Sequence, residues 1–393
     1  MRMDGIPKFL LVPSYVLGLA ALLLFLGGEP TLAAGLNGDP AYTEGPQVCG
    51  TCHKKAYEDW LSHGHSRKLA IGGRMLRKLR GKYGLTVSAR DAGIPLPDHD
   101  PKLYSWKNVA FVVGSSKHWK SRYVDKKGFL ITKGGKNQYN WQTGTWSDYH
   151  KDQKKPYSCG SCHTTGYRPD GKVFAEKGFP GATKKGMPGI KGDWAQFNIA
   201  CEACHGPGAV HSDKPTKENI KIDKSAELCG TCHTRGSDPN VVIAKGGFIR
   251  HHEQYPELLN SPHKKLNCGA CHNPHVGRAR GLLVKAGNKE VCDSCHKEQR
   301  EEYDGSVMQE AGVQCQDCHM GRATKSAVRN GPYEGDVWTH IVKINTSADY
   351  EMFTEDGSRA KPAMSLEFAC LRCHADGDTE EYAKIENFHT IGQ

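Results

Sequence analysis

The sequence predicts a mostly α, loop-rich chain of short helical turns with one small antiparallel β insert, and three observations predict it. The 393 residues hold 16 cysteines, all of them in pairs spaced C-x-x-C. Each pair is followed at once by a histidine, and most of these motifs lie close together, with short helical patterns after them and Gly/Pro-rich loops between. One interval, between the first and second motifs, is long and rich in β-branched and aromatic residues instead.

The eight pairs are Cys49/Cys52, Cys159/Cys162, Cys201/Cys204, Cys229/Cys232, Cys268/Cys271, Cys292/Cys295, Cys315/Cys318 and Cys370/Cys373. The histidines that follow are His53, His163, His205, His233, His272, His296, His319 and His374. A stretch such as "CEACHGPGAVH" could on its own be half a zinc site or a disulfide corner. Neither needs a histidine at that one position, and eight such coincidences have odds on the order of 10⁻¹¹ if the spacing means nothing. C-x-x-C-H is the attachment signature of c-type haem. One helical turn puts both thiols on one face for bonding to the porphyrin edge, and the next residue turns its imidazole under the ring as the proximal iron ligand. Eight covalently bound haems are expected, with all sixteen cysteines as attachment points.

The first residues agree with this chemistry. Arg2 and Lys8 precede the apolar core "VLGLAALLLFL", which small residues suited to cleavage follow. That is the pattern of a secretory signal peptide processed near Ala33 or Ala34. An uncleaved anchor is the alternative, against which Pro13 and the short apolar core argue. Covalent haem attachment takes place outside the cytoplasm, so the expected location is the periplasm or the cell surface. The net charge of +10 is a poor guide to partners, because each haem brings two propionates that offset it. A nucleic-acid partner is not expected.

Four segments follow from the motif spacing: a signal peptide over 1–34, the first motif with the β insert over 35–155, motifs two to four over 156–245, and motifs five to eight over 246–393. Between His53 and Cys159 lie 105 residues, against 18 to 37 in most later gaps and 50 before Cys370. The insert contains "WKNVAFVVGSSKHWKSRYVDKKGFLITKGG", whose Lys-Gly and Gly-Gly turns mark a small antiparallel sheet. About 45 residues per haem are too few for separate globin-like cores, so the porphyrins must supply much of the interior. Residues 60–90 carry eight Lys and Arg and no acid. They read as a solvated or propionate-balancing face, with a docking face for an acidic partner as the alternative.

Twelve histidines lie outside the motifs. Eight haems with two imidazoles each need eight of them, so bis-histidine ligation is the favoured reading. Iron with two imidazoles has no open position, and its chemistry is one-electron transfer. The C-x-x-C-K variant that marks some catalytic haems is absent.

Several segments, "GSSKHWKSRYV" with "QYNWQTGTW", then "YSCGSCHTTGY", "CEACHGPGAVH", "CHNPH" and "CQDCHMGRATKSA", resemble the multihaem c-type cytochromes related to cytochrome c-554. That group is akin to pentahaem nitrite reductase and hydroxylamine oxidoreductase. The resemblance implies a mostly helical, loop-rich multihaem cytochrome c with stacked haem pairs. It places His65 at the family's distal position after the first motif, with His63 replacing the usual Ser, and makes His211 and His275 distal ligands. His118, His150, His252, His263 and His340 complete the set of eight, with His389 in reserve. Tyr167, in "CHTTGY", is read as structural rather than as a haem-crosslinking tyrosine. No catalytic residue is assigned.

The expected function is electron transfer between respiratory redox partners, namely a membrane quinol-oxidising complex and periplasmic or outer-surface cytochromes. An oxidoreductase acting on nitrite, hydroxylamine or tetrathionate is the alternative, since the family contains both carriers and enzymes. A subunit of an extracellular filament is a further alternative, and self-association into dimers or filaments stays open.

Overall fold

A turn of helix is all that a C-x-x-C-H motif requires, and the motifs fold no further than that. In a computed structural model that describes residues 41–72, 88–90, 92–114, 119–171, 187–276 and 291–392, the histidine N–H returns to the first cysteine carbonyl in five motifs. These bonds run from His53 to Cys49, His233 to Cys229, His272 to Cys268, His296 to Cys292 and His374 to Cys370, at 2.8–3.0 Å. The remaining motifs lie in helices Gly160–His163, Cys201–His205 and Cys315–His319. Gly206 ends the second of these, Cys201–His205, with φ +73°, a conformation that favours glycine. The longest described helix, Lys54–Ser62, has nine residues. Among the described residues no helix is long and apolar enough to cross a membrane, and the expected signal peptide lies outside them.

The chain is loop-rich as expected, but helix does not dominate it and the insert is larger than a small sheet. Seven antiparallel strands build it: β1 (Leu69–Ile71), β2 (Val109–Val113), β3 (Lys120–Asp125), β4 (Phe129–Leu130), β5 (Gln138–Asn140), β6 (Thr145–Ser147) and β7 (Lys155–Pro156). The main path is β1-β2-β3-β4-β7, with β5 on β3 and β6 on β5. Both faces of the sheet are covered, which is why β2 reads "VAFVV" without alternation and is buried throughout. Leu69, Phe111, Val124, Tyr157, Trp194 and Phe197 pack on one face, and Val109, Val112, Tyr123, Tyr104 and Ile131 on the other.

A third core lies in the C-terminal half around Phe248, Ile249, Ile341, Met352, Met364 and Phe368. Its frame is a three-stranded sheet in which Ile249–Arg250 runs parallel to the start of Thr324–Gly331, and that strand turns back as Glu334–Val337. Asp336 holds the turn by accepting from the amides of Ser326, Ala327 and Val328 at 2.5, 2.7 and 3.3 Å.

Candidate haem-binding site

The sixteen cysteines form no disulfide. Thirteen are half-buried, whereas Cys52, Cys295 and Cys373 are exposed. Cys52 departs most clearly from an interior position. It lies in the turn between helices Pro46–Gly50 and Lys54–Ser62, beside the exposed Thr51 and His53, and Thr51 Oγ1 stands 3.8 Å from its sulfur. Its motif partner Cys49 lies against Cys201. Cys295 and Cys373 are likewise the second thiols of their pairs.

The imidazoles behind the cysteines are oriented by their second nitrogen. Nδ1 of His163 meets the Lys68 carbonyl at 2.9 Å, that of His205 the Lys221 carbonyl at 3.0 Å, and that of His319 the Val342 carbonyl at 3.0 Å. A carbonyl can only accept, so Nδ1 carries the proton in each and Nε2 is left with a free lone pair. That tautomer is the one a metal ligand needs, and its carbonyl partner holds the ring in place.

Two imidazoles that bind one iron from opposite sides, each nitrogen about 2.0 Å from the metal, hold their ring centroids about 6 Å apart. Six motif histidines have such a partner. His53 faces His211 at 6.3 Å, His205 faces His275 at 6.1 Å, and His233 faces His65 at 6.4 Å. His272 faces His340 at 6.2 Å, His296 faces His263 at 5.8 Å, and His319 faces His389 at 6.0 Å. These residues fit a c-type haem held by two imidazoles.

The other spare histidines sort by the same criteria. His63 lies only 4.3 Å from His65, and its Nδ1 accepts the His65 amide, which leaves the ring proton on Nε2. It is the side-chain cap of the turn that presents His65. His252, at φ +67°, puts its ring 5.9 Å from His233 on an edge-on approach, so His65 and His252 flank the same motif histidine. His251 Nε2 accepts from Arg235 at 2.9 Å. His150 is exposed, packs on Tyr149 and bonds Gln153, and the structure brings no motif histidine to it. The reserve residue His389 occupies a facing position instead. His118 lies outside the described residues.

Two motif histidines have no facing imidazole among the described residues. His374 is exposed, with the Tyr382 ring 6.0 Å away. His163 is half-buried, and Lys68, Arg122 and Arg235 lie within its electrostatic reach. Lys120 and Arg122 are two residues apart on β3 and so share a face. Burial, with Arg122 adding to it, holds Lys120 down at about 7, and burial takes Lys68 to about 8. Burial and these same cations drive His251 to about 2. Lys68 stands 5.6 Å over the Trp119 ring and Arg122 3.6 Å over Tyr149. Among the described residues no carboxylate forms an ion pair with Lys68, Lys120, Arg122 or Arg235. Such a cationic cluster favours an anion, haem propionates included. Sequence reasoning missed Lys120, Arg122 and Arg235; the signal for the first two was a pair of cations at i, i+2 in one strand.

Thiol contacts give the order of the motifs in space. Cys49 lies against Cys201, Cys162 against Cys232, and Cys229 against Cys268. Cys204 is within electrostatic reach of Cys229, Cys271 of Cys292 and Cys295, and Cys318 of Cys373. His319 reaches His296 and His263. The motifs therefore run first, third, fourth, fifth, sixth, seventh, eighth, and the second branches from the fourth.

Comparison with known proteins agrees with this architecture. A family model described as cytochrome c554 and c-prime matches residues 114–206, and a doubled C-x-x-C-H motif model matches 260–301. The multihaem cytochrome MtrA of Shewanella baltica is 26% identical over 173 residues, 41% of this chain and 44% of that one, so the likeness spans less than half of the relative. The outer cell wall cytochrome OcwA superposes with a TM-score of 0.54 at 20% identity, over 87% of this chain and 85% of its own. The octahaem sulfite reductase MccA of Wolinella succinogenes gives 0.52 at 17% identity, over 90% of this chain and 70% of its own. At those identities the two structures speak for the fold alone. The chain is thus similar to the cytochrome c554 family over residues 114–206 and to a multihaem cytochrome over part of its length, and its C-x-x-C-H motifs bind haem c covalently.

Proposed function

We propose that this chain is an exported octahaem electron-transfer protein that passes electrons between redox partners along the series of its motifs. The observation that carries the reading is the set of six facing histidine pairs, all within 5.8–6.4 Å. Haem supplies one-electron chemistry when bound. The residues of the chain do the rest. Sixteen thiols would hold the haems in series, the paired imidazoles would ligate their irons, and carbonyls on Nδ1 keep the rings from turning. Export supports a site of action in the periplasm or at the cell surface, with a membrane quinol-oxidising complex and other extracytoplasmic cytochromes as partners. Full reduction should take eight electrons per chain, and the reduced protein should return them rapidly to a soluble one-electron acceptor. An uptake well below eight, or reduced protein that a soluble acceptor does not reoxidise, contradicts the reading.

One observation favours a second activity on the same chain. His163 lies on the branch, lacks a facing imidazole among the described residues, and is surrounded by Lys68, Arg122 and Arg235. That arrangement suits reduction of a small oxyanion such as nitrite or tetrathionate better than of uncharged hydroxylamine. The branch would then receive its electrons from the fourth motif. Steady turnover of nitrite or tetrathionate supports this second reading, and its absence with both leaves the chain a carrier.

A further inference from the structure

Helix Gln254–Leu259 packs against helix Ala226–Gly230, which carries Cys229, so closely that a Cβ on Gly230 would stand 2.4 Å from the Tyr255 ring. Its inner face serves two neighbouring histidine pairs. Gln254 Oε1 lies 3.1 Å from Nδ1 of His233, in the fourth motif. One turn on, Glu257 Oε2 lies 3.3 Å from Nδ1 of His340, which faces His272 of the fifth.

Glu257 is fully buried and held rigidly. Its Oε1 accepts from Thr324 Oγ1 at 2.9 Å, and its Oε2 accepts the His340 amide at 2.6 Å. His340 Nδ1 makes no directed hydrogen bond of its own, so the carboxylate acts on it as a close charge. Glu302, a carboxylate beside another distal imidazole, is 3.7 Å from His389 Nδ1, and its side chain is 47% exposed, so water screens it. A carboxylate at Nδ1 gives the imidazole more anionic character and makes Nε2 a stronger donor to ferric iron than a neutral amide does.

We propose that Glu257 is a potential-setting residue. It makes the His272/His340 site more reducing than the adjacent His233 site, whose Nδ1 partner is the uncharged Gln254. An electron passing between them then oxidises the first iron from ferrous to ferric and reduces the second from ferric to ferrous, toward the branch at His163. This inference rests on the proposed pairing of His272 with His340, so the two are tested apart.

Redox titration of the full holoprotein followed by its haem absorption reads both. Glu257→Gln should move one step to higher potential, with the others unmoved and the intact mass and low-spin signal unchanged. Gln254→Glu should move a different step to lower potential, which a merely structural role would not do. A Glu257→Gln titration that overlays the parent, with its low-spin signal intact, overturns the inference and leaves the pairing standing. His340→Met should alter one low-spin signal; if it alters none, the pairing fails and the inference falls with it.

Discussion

His205 and His275 face each other with ring planes 1° apart and centroids 6.1 Å apart. The Lys221 carbonyl fixes the first ring at Nδ1, and the Asn273 side chain accepts the His275 amide and shapes the turn that presents the second. By contrast the planes of His65 and His233 lie 53° apart. Parallel imidazoles separate the iron d-orbitals strongly, so this pair should give a rhombic low-spin resonance, and crossed rings a more axial one. His275→Ala should remove one rhombic component and add a high-spin one. Persistence of all rhombic components would show that His275 does not face His205 in the holoprotein.

Stoichiometry follows from the thiols. All sixteen should be consumed in thioethers, the exposed Cys52, Cys295 and Cys373 included, so the intact mass of the mature protein should correspond to eight haems with no titratable thiol. A mass for seven, or a free thiol, contradicts this.

Replacing an imidazole by a thioether favours ferrous iron. His211 faces His53 and is held by the Thr216 carbonyl and Asn219 Oδ1, both at 2.9 Å. His211→Met should therefore raise the potential of one haem while the haem count stays the same. An unchanged titration would remove His211 from the ligand set.

How much of this was legible beforehand depends on the range of each interaction. The motifs are local, and their spacing states the chemistry outright. His211 could be placed through the family resemblance that "CHGPGAVH" carries. His389 and His340 could not be told from His150 by sequence, since their partners His319 and His272 are about 70 residues away and only the folded chain brings them together. The sheet was read from β-branched runs, but β1 and β7 come from short segments whose strand character is set by pairing across the insert. Helix was overestimated because a motif needs one turn and nothing in the sequence says where that helix stops.

Glu202 ties the chain's first described residues to the third motif. Its buried carboxylate accepts from the Thr43 amide and hydroxyl at 2.9 and 2.6 Å and from the Gly208 amide at 2.6 Å, and Gln196 also donates to it. Glu202→Ala should cost about 3 kcal/mol by leaving those donors unpaired. Chemical denaturation of the holoprotein reads this, and a loss below about 1 kcal/mol would show that the hub is dispensable.

The cations beside His163 can be probed with nitrite alone. Arg122→Met should weaken the nitrite-induced change in the haem spectrum by about tenfold or more, the scale of one lost charge-assisted hydrogen bond. Equal affinity in the variant would mean that Arg122 does not face the anion.

Quantified electron paramagnetic resonance of the fully oxidised protein tests the histidine pairing most directly, because it counts spins per chain. The six facing pairs predict at least six low-spin haems, with any high-spin signal confined to His163 and His374. Fewer than six low-spin haems per chain would contradict the pairing and, with it, the proposed line of electron transfer.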